Sequence, residues 1–167
     1  MIKTKTIKTP IGVILTAATQ KGICLFEYME VEDRLARQTS HLEKTFSSKL
    51  EQGESPFFTQ LEKELEEYFT GSRKSFNVPL DFKGTDFQED SWAALLKIPY
   101  GETRSYQDQA IAINKPKAVR AVAGANHRNK LSILIPCHRV IGKNGALTGY
   151  GGELWRKEFL LKLEKAI

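Results

Sequence analysis

The sequence predicts an α+β protein of two small domains. Three observations carry that reading. β-branched residues crowd the early stretch "IKTPIGVILTAATQKGICLFEY", well-capped helical patterns dominate later, and Lys83–Gly84 divides two stretches of different charge. With 167 residues, 41% hydrophobic and 27% charged, the chain suits folded domains with cores of their own.

The early stretch reads as two strands around a Thr19-Gln20-Lys21-Gly22 turn. Residues 30–54 are polar and charged, part helix and part loop. "SPFFTQLEKELEEYFTG" is a helix: Ser55 caps, Pro56 fits the first turn and Gly71 ends it. Phe58, Leu61, Leu65 and Tyr68/Phe69 form its apolar stripe. "SFNVPLDF" alternates as a half-buried strand or extended segment, with Pro79 arguing for an edge. The expected domains are 1–83 and 84–167.

In the second domain, Thr85 to Gln88 is a possible capping box. The helix after it directs Phe87, Trp92, Leu95 and Leu96 to a core. "IPYGET" breaks that helix, "SYQDQAIAI" forms a short one capped by Ser105, and "NKP" turns the chain. A further helix runs through "PKAVRAVAGANHRN" with Pro116 at its start, and "ELWRKEFLLKLEKA" is the last.

Charge separates the halves. Met1 to Gly84 holds twelve Lys/Arg and twelve Asp/Glu, and Thr85 to Ile167 thirteen against eight. Between Lys97 and Lys143 the balance is nine basic to two acidic residues. Such a segment suits a polyanion partner or a solvated face. Two helices around a tight turn in that region have the layout of a helix-turn-helix. The second is rich in Ala118, Ala121, Ala123, Gly124 and Ala125. Small side chains allow close approach to another surface, or tight internal packing, and offer little for reading base edges. Lys115, Lys117, Arg120, Arg128 and Lys130 can serve phosphates.

No apolar run approaches the roughly 20 residues that span a bilayer, and the lysine-bearing N-terminus lacks a signal-peptide core. A cytosolic protein is expected. Two cysteines and three histidines make no disulfide framework and no zinc signature. Neither a metal nor a cofactor is expected.

"ILIPCHRVIG" is the chemical focus. Cys24, in a strand-like context, reads as a small buried hydrophobe. Cys137 follows a proline and precedes His138 and Arg139, and a histidine and positive charge favour a thiolate. Neighbours in a regular strand point to opposite faces. A Cys137–His138 pairing therefore needs a turn or a bridging water, and a third group to hold the imidazole. Glu153, Glu158 and Glu164 are all candidates. From the residues alone, nucleophile and structural cysteine both remain open.

"PCHRV", with "RAVAGANHRN" before it and "GYGGELWRKEFLL" after it, closely resembles the O6-alkylguanine-DNA alkyltransferases, the methylated-DNA–protein-cysteine methyltransferases. The resemblance covers Thr85 to Glu164. It implies an RNase H-like α/β domain followed by a mostly helical, winged helix-turn-helix-like DNA-binding domain. It further implies that Cys137 accepts the alkyl group irreversibly, once per molecule. His138 would act through a water as base, with Glu164 orienting it. Tyr106 would donate a proton toward N3 of guanine, and Asn129 would be the hinge between the recognition helix and the cysteine segment.

Arg120 would fill the space of a flipped nucleotide, with Tyr106, Ala121, Lys117 and Arg128 also on DNA. Tyr150, Gly151, Gly152, Val140 and Trp92 would line the base pocket. The Cys137 and Val140 carbonyls would receive the exocyclic amine. The implied partner is double-stranded DNA carrying alkylated guanine, bound by a monomer away from membranes. O4-alkylthymine is left open as a further substrate. Glu153 stands where the family more often has glycine, and Lys130 where proline is common. The competing classes are a non-catalytic DNA-damage-binding protein and a cysteine hydrolase.

Overall fold

Three antiparallel strands open the chain: β1 (Ile2–Thr9), β2 (Gly12–Ala18) and β3 (Ile23–Tyr28). The computed structural model describes residues 1–167 and divides into two units, Met1–Lys83 and Gly84–Ile167. In the first unit, α1 (Glu32–Phe46) leads to β4 (Leu50–Gln52), which pairs parallel to β1 and completes a sheet of order β3-β2-β1-β4.

The expected pair of strands is therefore three. The lysine-rich Ile2–Thr9 hid its strand because Ile2 and Ile7, its only buried residues, lie five apart and show no period of two. Pairing with β2 on one side and β4 on the other makes it a strand. An apolar cluster of Ile2, Ala17, Cys24, Leu25 and Leu42 joins the sheet to α1.

α2 (Pro56–Phe69) starts as its sequence dictates, with the Ser55 hydroxyl accepting from the Phe57 amide. It buries Phe58, Leu61, Leu65 and Tyr68. The segment after it is extended, with one isolated bridge to the sheet, Ile23 to Leu80. The Ile23 amide donates to the Pro79 carbonyl and the Asp81 amide to the Ile23 carbonyl, both at 2.8 Å. Gly22 permits that approach, because a Cβ there would lie 2.5 Å from the Pro79 oxygen. The buried Glu64 carboxylate accepts from the Asn77 and Val78 amides and fastens the segment to α2.

The second unit packs α3 (Asp86–Leu96), β5 (Arg104–Ser105), α4 (Tyr106–Ala112) and α5 (Val119–His127), then β6 (Val140–Ile141) and α6 (Leu154–Leu163). β5 and β6 pair in parallel. Thr85 with Gln88 and Ser105 with Asp108 form complete capping boxes. α5 begins at Val119, later than Pro116, because Lys115 to Ala118 form a turn closed by the Ala118 amide on the Lys115 carbonyl. Leu96, expected in the core, is 44% exposed, since α3 buries Ser91, Trp92 and Leu95 instead.

Three helices are locked by one buried polar pair. Gln109 of α4 and Asn126 of α5 exchange amide hydrogen bonds at 2.9 and 2.7 Å, and Gln109 also donates to the Ser91 carbonyl of α3. Every donor and acceptor so paired is deprived of water without being left unsatisfied, which fixes the angle of α5 against α4. No helix is long and apolar enough to cross a membrane.

Candidate active site

The chain from Asn129 to Ile141 builds the site. Leu131 to Pro136 are buried, and Ile133 has φ 71°, a left-handed backbone rarely adopted by a β-branched residue. Tight backbone contacts follow: Leu134 amide to Ser132 carbonyl, Ile135 to Leu131, and Cys137 to Ile135. The chain then enters a single 3-10 turn, Cys137–Arg139. A turn, not a strand, thus carries Cys137 and His138. Cys137 is partly exposed and His138 fully buried.

Asn129 is 1% exposed and ties this segment together. Its Nδ2 donates to the Ile135 carbonyl at 2.9 Å and to the Cys137 sulfur at 3.3 Å, while its Oδ1 accepts from the Leu131 amide. A donor aimed at sulfur favours the anionic form of a thiol.

Of the three candidate glutamates, Glu164 meets His138, with Nε2 to Oε2 at 2.8 Å. Arg139 forks onto the same carboxylate through Nε at 2.8 Å and Nη2 at 3.1 Å, and its Nη1 donates to the Ile98 carbonyl. Burial alone would raise the Glu164 carboxyl, but His138 and Arg139 outweigh it and hold it at about 2. Burial pushes His138 down; Glu164 opposes that, and the nearby Arg139 and Lys157 charges reinforce it. We therefore read a neutral imidazole facing an ionised carboxylate. Nε2 then carries the hydrogen and donates to Glu164. Nδ1, buried and without a hydrogen-bond partner in the protein, keeps its lone pair. Glu153 and Glu158 lie elsewhere: Glu153 accepts from the Trp155 indole and Glu158 pairs with Lys162.

Tyr106, the first residue of α4, is half-buried and donates its hydroxyl to the Thr148 carbonyl at 3.1 Å. Burial raises it, the Thr148 contact lowers it and the Cys137 charge raises it further, so it remains a proton donor at neutral pH. The loop carrying Thr148 lies close against it. A Cβ on Gly149, whose φ is 62°, would sit 3.0 Å from the Tyr106 oxygen. Tyr150 is buried, Gly151 half-buried and Gly152 buried, and the Gly152 carbonyl accepts from Arg156.

Lys117, Arg120, Ala121 and Arg128 are all exposed, at the entry to α5, along it and at its end. Trp92 was expected in the pocket wall. It is 3% exposed, and its indole N–H donates to the Ala125 carbonyl of α5 at 2.9 Å. The Val140 carbonyl, expected to receive an exocyclic amine, accepts from Lys157 at 2.5 Å.

Sequence reading passed over Lys157, Arg156 and the Glu164 contact of Arg139. A signal was present. On α6 the apolar positions Leu160 and Leu161 project one turn back onto Arg156 and Lys157, and all four are buried. Charged residues on a helix's apolar stripe mark groups held for a purpose other than solubility.

Together these features define a cysteine-centred candidate site near a helix that exposes Arg120, with Lys117 and Arg128 exposed at its two ends. Comparison with known proteins gives it a family. Residues 86–166 match the 6-O-methylguanine DNA methyltransferase DNA binding domain, and residues 2–82 the ribonuclease-like domain of the same proteins. A methylated-DNA–protein-cysteine methyltransferase of Methanosarcina barkeri is 45% identical, covering 95% of this chain and 94% of its own. The constitutive Bacillus subtilis protein of the same name is 46% identical over 96% and 93%. The crystal structure of Mycobacterium tuberculosis O6-methylguanine methyltransferase superposes with a TM-score of 0.83 at 42% identity, covering 99% and 94%. The M. tuberculosis protein in complex with DNA gives 0.82 at 41% identity over 98% and 93%. The chain belongs to the 6-O-methylguanine DNA methyltransferase family.

Proposed function

We propose that this protein repairs double-stranded DNA by moving the alkyl group of O6-alkylguanine irreversibly to the sulfur of Cys137. The observation that carries the reading is the buried His138–Glu164 pair behind a partly exposed thiol, with the imidazole Nδ1 left as a base. The thiol proton passes to His138 through a bridging water, and Glu164 stabilises the resulting imidazolium. The thiolate attacks the alkyl carbon. A carbon–sulfur bond forms, the bond to O6 breaks, and Tyr106 gives its proton to N3 of the departing guanine. The proton on His138 restores the tyrosine by way of solvent. The thioether has no route back, so each molecule reacts once.

The damaged atom lies inside the duplex, so the nucleotide must be flipped out before reaction. Arg120 fills the space it leaves. Ala121 permits close approach, and Lys117 and Arg128 hold phosphates. Val140, Tyr150, Gly151 and Gly152 surround the extruded base, with the Gly151 amide at the alkylated oxygen. The protein acts as a monomer, in the cytoplasm where the DNA lies.

The test is to incubate the protein with a duplex containing O6-methylguanine, digest it and weigh the peptides. One methyl on the Cys137 peptide, stoichiometric and permanent, is expected. An unmodified Cys137 despite tight DNA binding would refute the reading. Cys137→Ser is expected to abolish transfer and keep DNA binding.

A further inference from the structure

Lys157 sits in the first turn of α6, fully buried. Two costs fall on its charge there: loss of water and the positive end of a helix. Its two hydrogen bonds, to the Val140 carbonyl at 2.5 Å and the Thr148 carbonyl at 2.6 Å, are both to neutral acceptors. A buried cation without a carboxylate calls for a functional account.

Its two acceptors supply one. Val140 is three residues after Cys137 and begins β6, which pairs with β5 directly before Tyr106. Thr148 belongs to the loop against Tyr106, and its carbonyl also receives the Tyr106 hydroxyl. One ammonium thus joins the strand leaving the cysteine turn to the loop on which the tyrosine rests. We propose that Lys157 is a positioning residue for alkyl transfer. Its ammonium clamps the Val140 and Thr148 carbonyls and supplies the positive charge that favours the Cys137 thiolate. This rests on reading Cys137 as the alkyl acceptor.

The ionisable groups around the clamp are Cys137 and His138 on the turn, Arg139 beside them, Tyr106 on α4 and Arg156 on the same helix. Glu164 is engaged by His138 and Arg139. That leaves the thiolate as the anion available to Lys157. Burial pushes Lys157 down to about 8, with the Cys137 charge opposing the fall. The Thr148 carbonyl is also a shared acceptor. When Tyr106 turns its hydroxyl toward a base, Lys157 keeps that carbonyl satisfied, so the tyrosine is released without leaving an orphaned oxygen.

The test compares wild type with Lys157→Gln and Lys157→Met. Iodoacetamide labelling of Cys137 is followed by peptide mass across pH without DNA, and methyl transfer from duplex is measured in parallel. Cys24 serves as the internal control, since burial pushes its thiol up to about 12. Folding of each variant is checked by thermal unfolding. In folded variants the labelling profile is expected to move up by about one pH unit. Transfer at neutral pH is expected to slow by up to about tenfold, the largest share of thiolate that a one-unit rise can remove. Folded variants whose labelling profile overlays wild type would overturn the proposal.

If neither variant folds, the wild-type protein decides. Capping Cys137 with methyl methanethiosulfonate removes the anion, and the Lys157 ammonium signal by NMR should then titrate at lower pH. An unchanged titration would overturn the proposal. Failure of the proposed repair function would show differently, as absent methyl transfer in wild type with the labelling shift intact.

Discussion

Glu164→Gln removes one charge from the centre of the site and keeps its shape. In the native protein this carboxylate takes the His138 imidazole and two nitrogens of Arg139, and is 1% exposed. The amide leaves the Arg139 guanidinium, itself only 8% exposed, without a counter-charge. Breaking a buried pair in this way costs about 3–5 kcal/mol.

The pH dependence gives a second measure. The carboxyl moves from 4.5 to about 2 on folding, and at about 1.4 kcal/mol per pH unit that is roughly 3 kcal/mol. The folded value is depressed, so the contribution is complete above the unfolded value. It is lost as pH falls from about 4.5 toward about 2.

Both tryptophans of the chain, Trp92 and Trp155, lie in the same unit as Glu164. Urea unfolding followed by tryptophan fluorescence therefore reports on that unit. At pH 7 the variant should be about 3 kcal/mol less stable than wild type. By pH 3.5 the gap should narrow by roughly 1.4 kcal/mol, because the Glu164 carboxyl of the unfolded wild-type chain takes up a proton there while the folded one stays ionised. Methyl transfer by the variant should fall on the order of a hundredfold, the lower range for loss of general-base assistance. A gap below 1 kcal/mol at pH 7, or one that does not change with pH, would refute this account of the His138–Glu164–Arg139 cluster.

Asn126→Ala leaves the buried Gln109 amide partly unsatisfied and should cost about 2 kcal/mol in the same fluorescence assay. Glu153 has φ 76° and ψ 146°, a region suited to glycine. Glu153→Gly should therefore raise stability by about 1 kcal/mol, read as a higher Tm. A lower Tm would mean the Glu153–Trp155 contact outweighs the strain. Arg120→Ala should slow transfer from duplex DNA more than transfer from a free O6-alkylguanine base, measured as second-order rates; equal losses would contradict its place in nucleotide flipping.

What the sequence determined by itself was local. Ser55 before Pro56, Thr85 with Gln88, and Ser105 with Asp108 start helices through hydrogen bonds spanning no more than three residues, so a short window holds all the physics. The reading of Cys137 as an alkyl acceptor came from the resemblance of "RAVAGANHRN", "PCHRV" and "GYGGELWRKEFLL" to a known family, and the residues around the cysteine left it open. The lysine-rich β1 was not, because its strand character comes from partners at β2 and β4. Trp92 and Leu96 of α3 divided between core and solvent according to where α5 packs.

The site itself was decided by tertiary structure. His138 stands twenty-six residues from Glu164, and nothing in the spacing separates that glutamate from Glu153 or Glu158. The family resemblance points to Glu164, and the packing of α6 against the 3-10 turn is what brings it to His138. The same packing buries Lys157 against two carbonyls far from it in sequence. Electrostatic pairing acts through space in a medium of low dielectric, and the fold alone sets which charges share it.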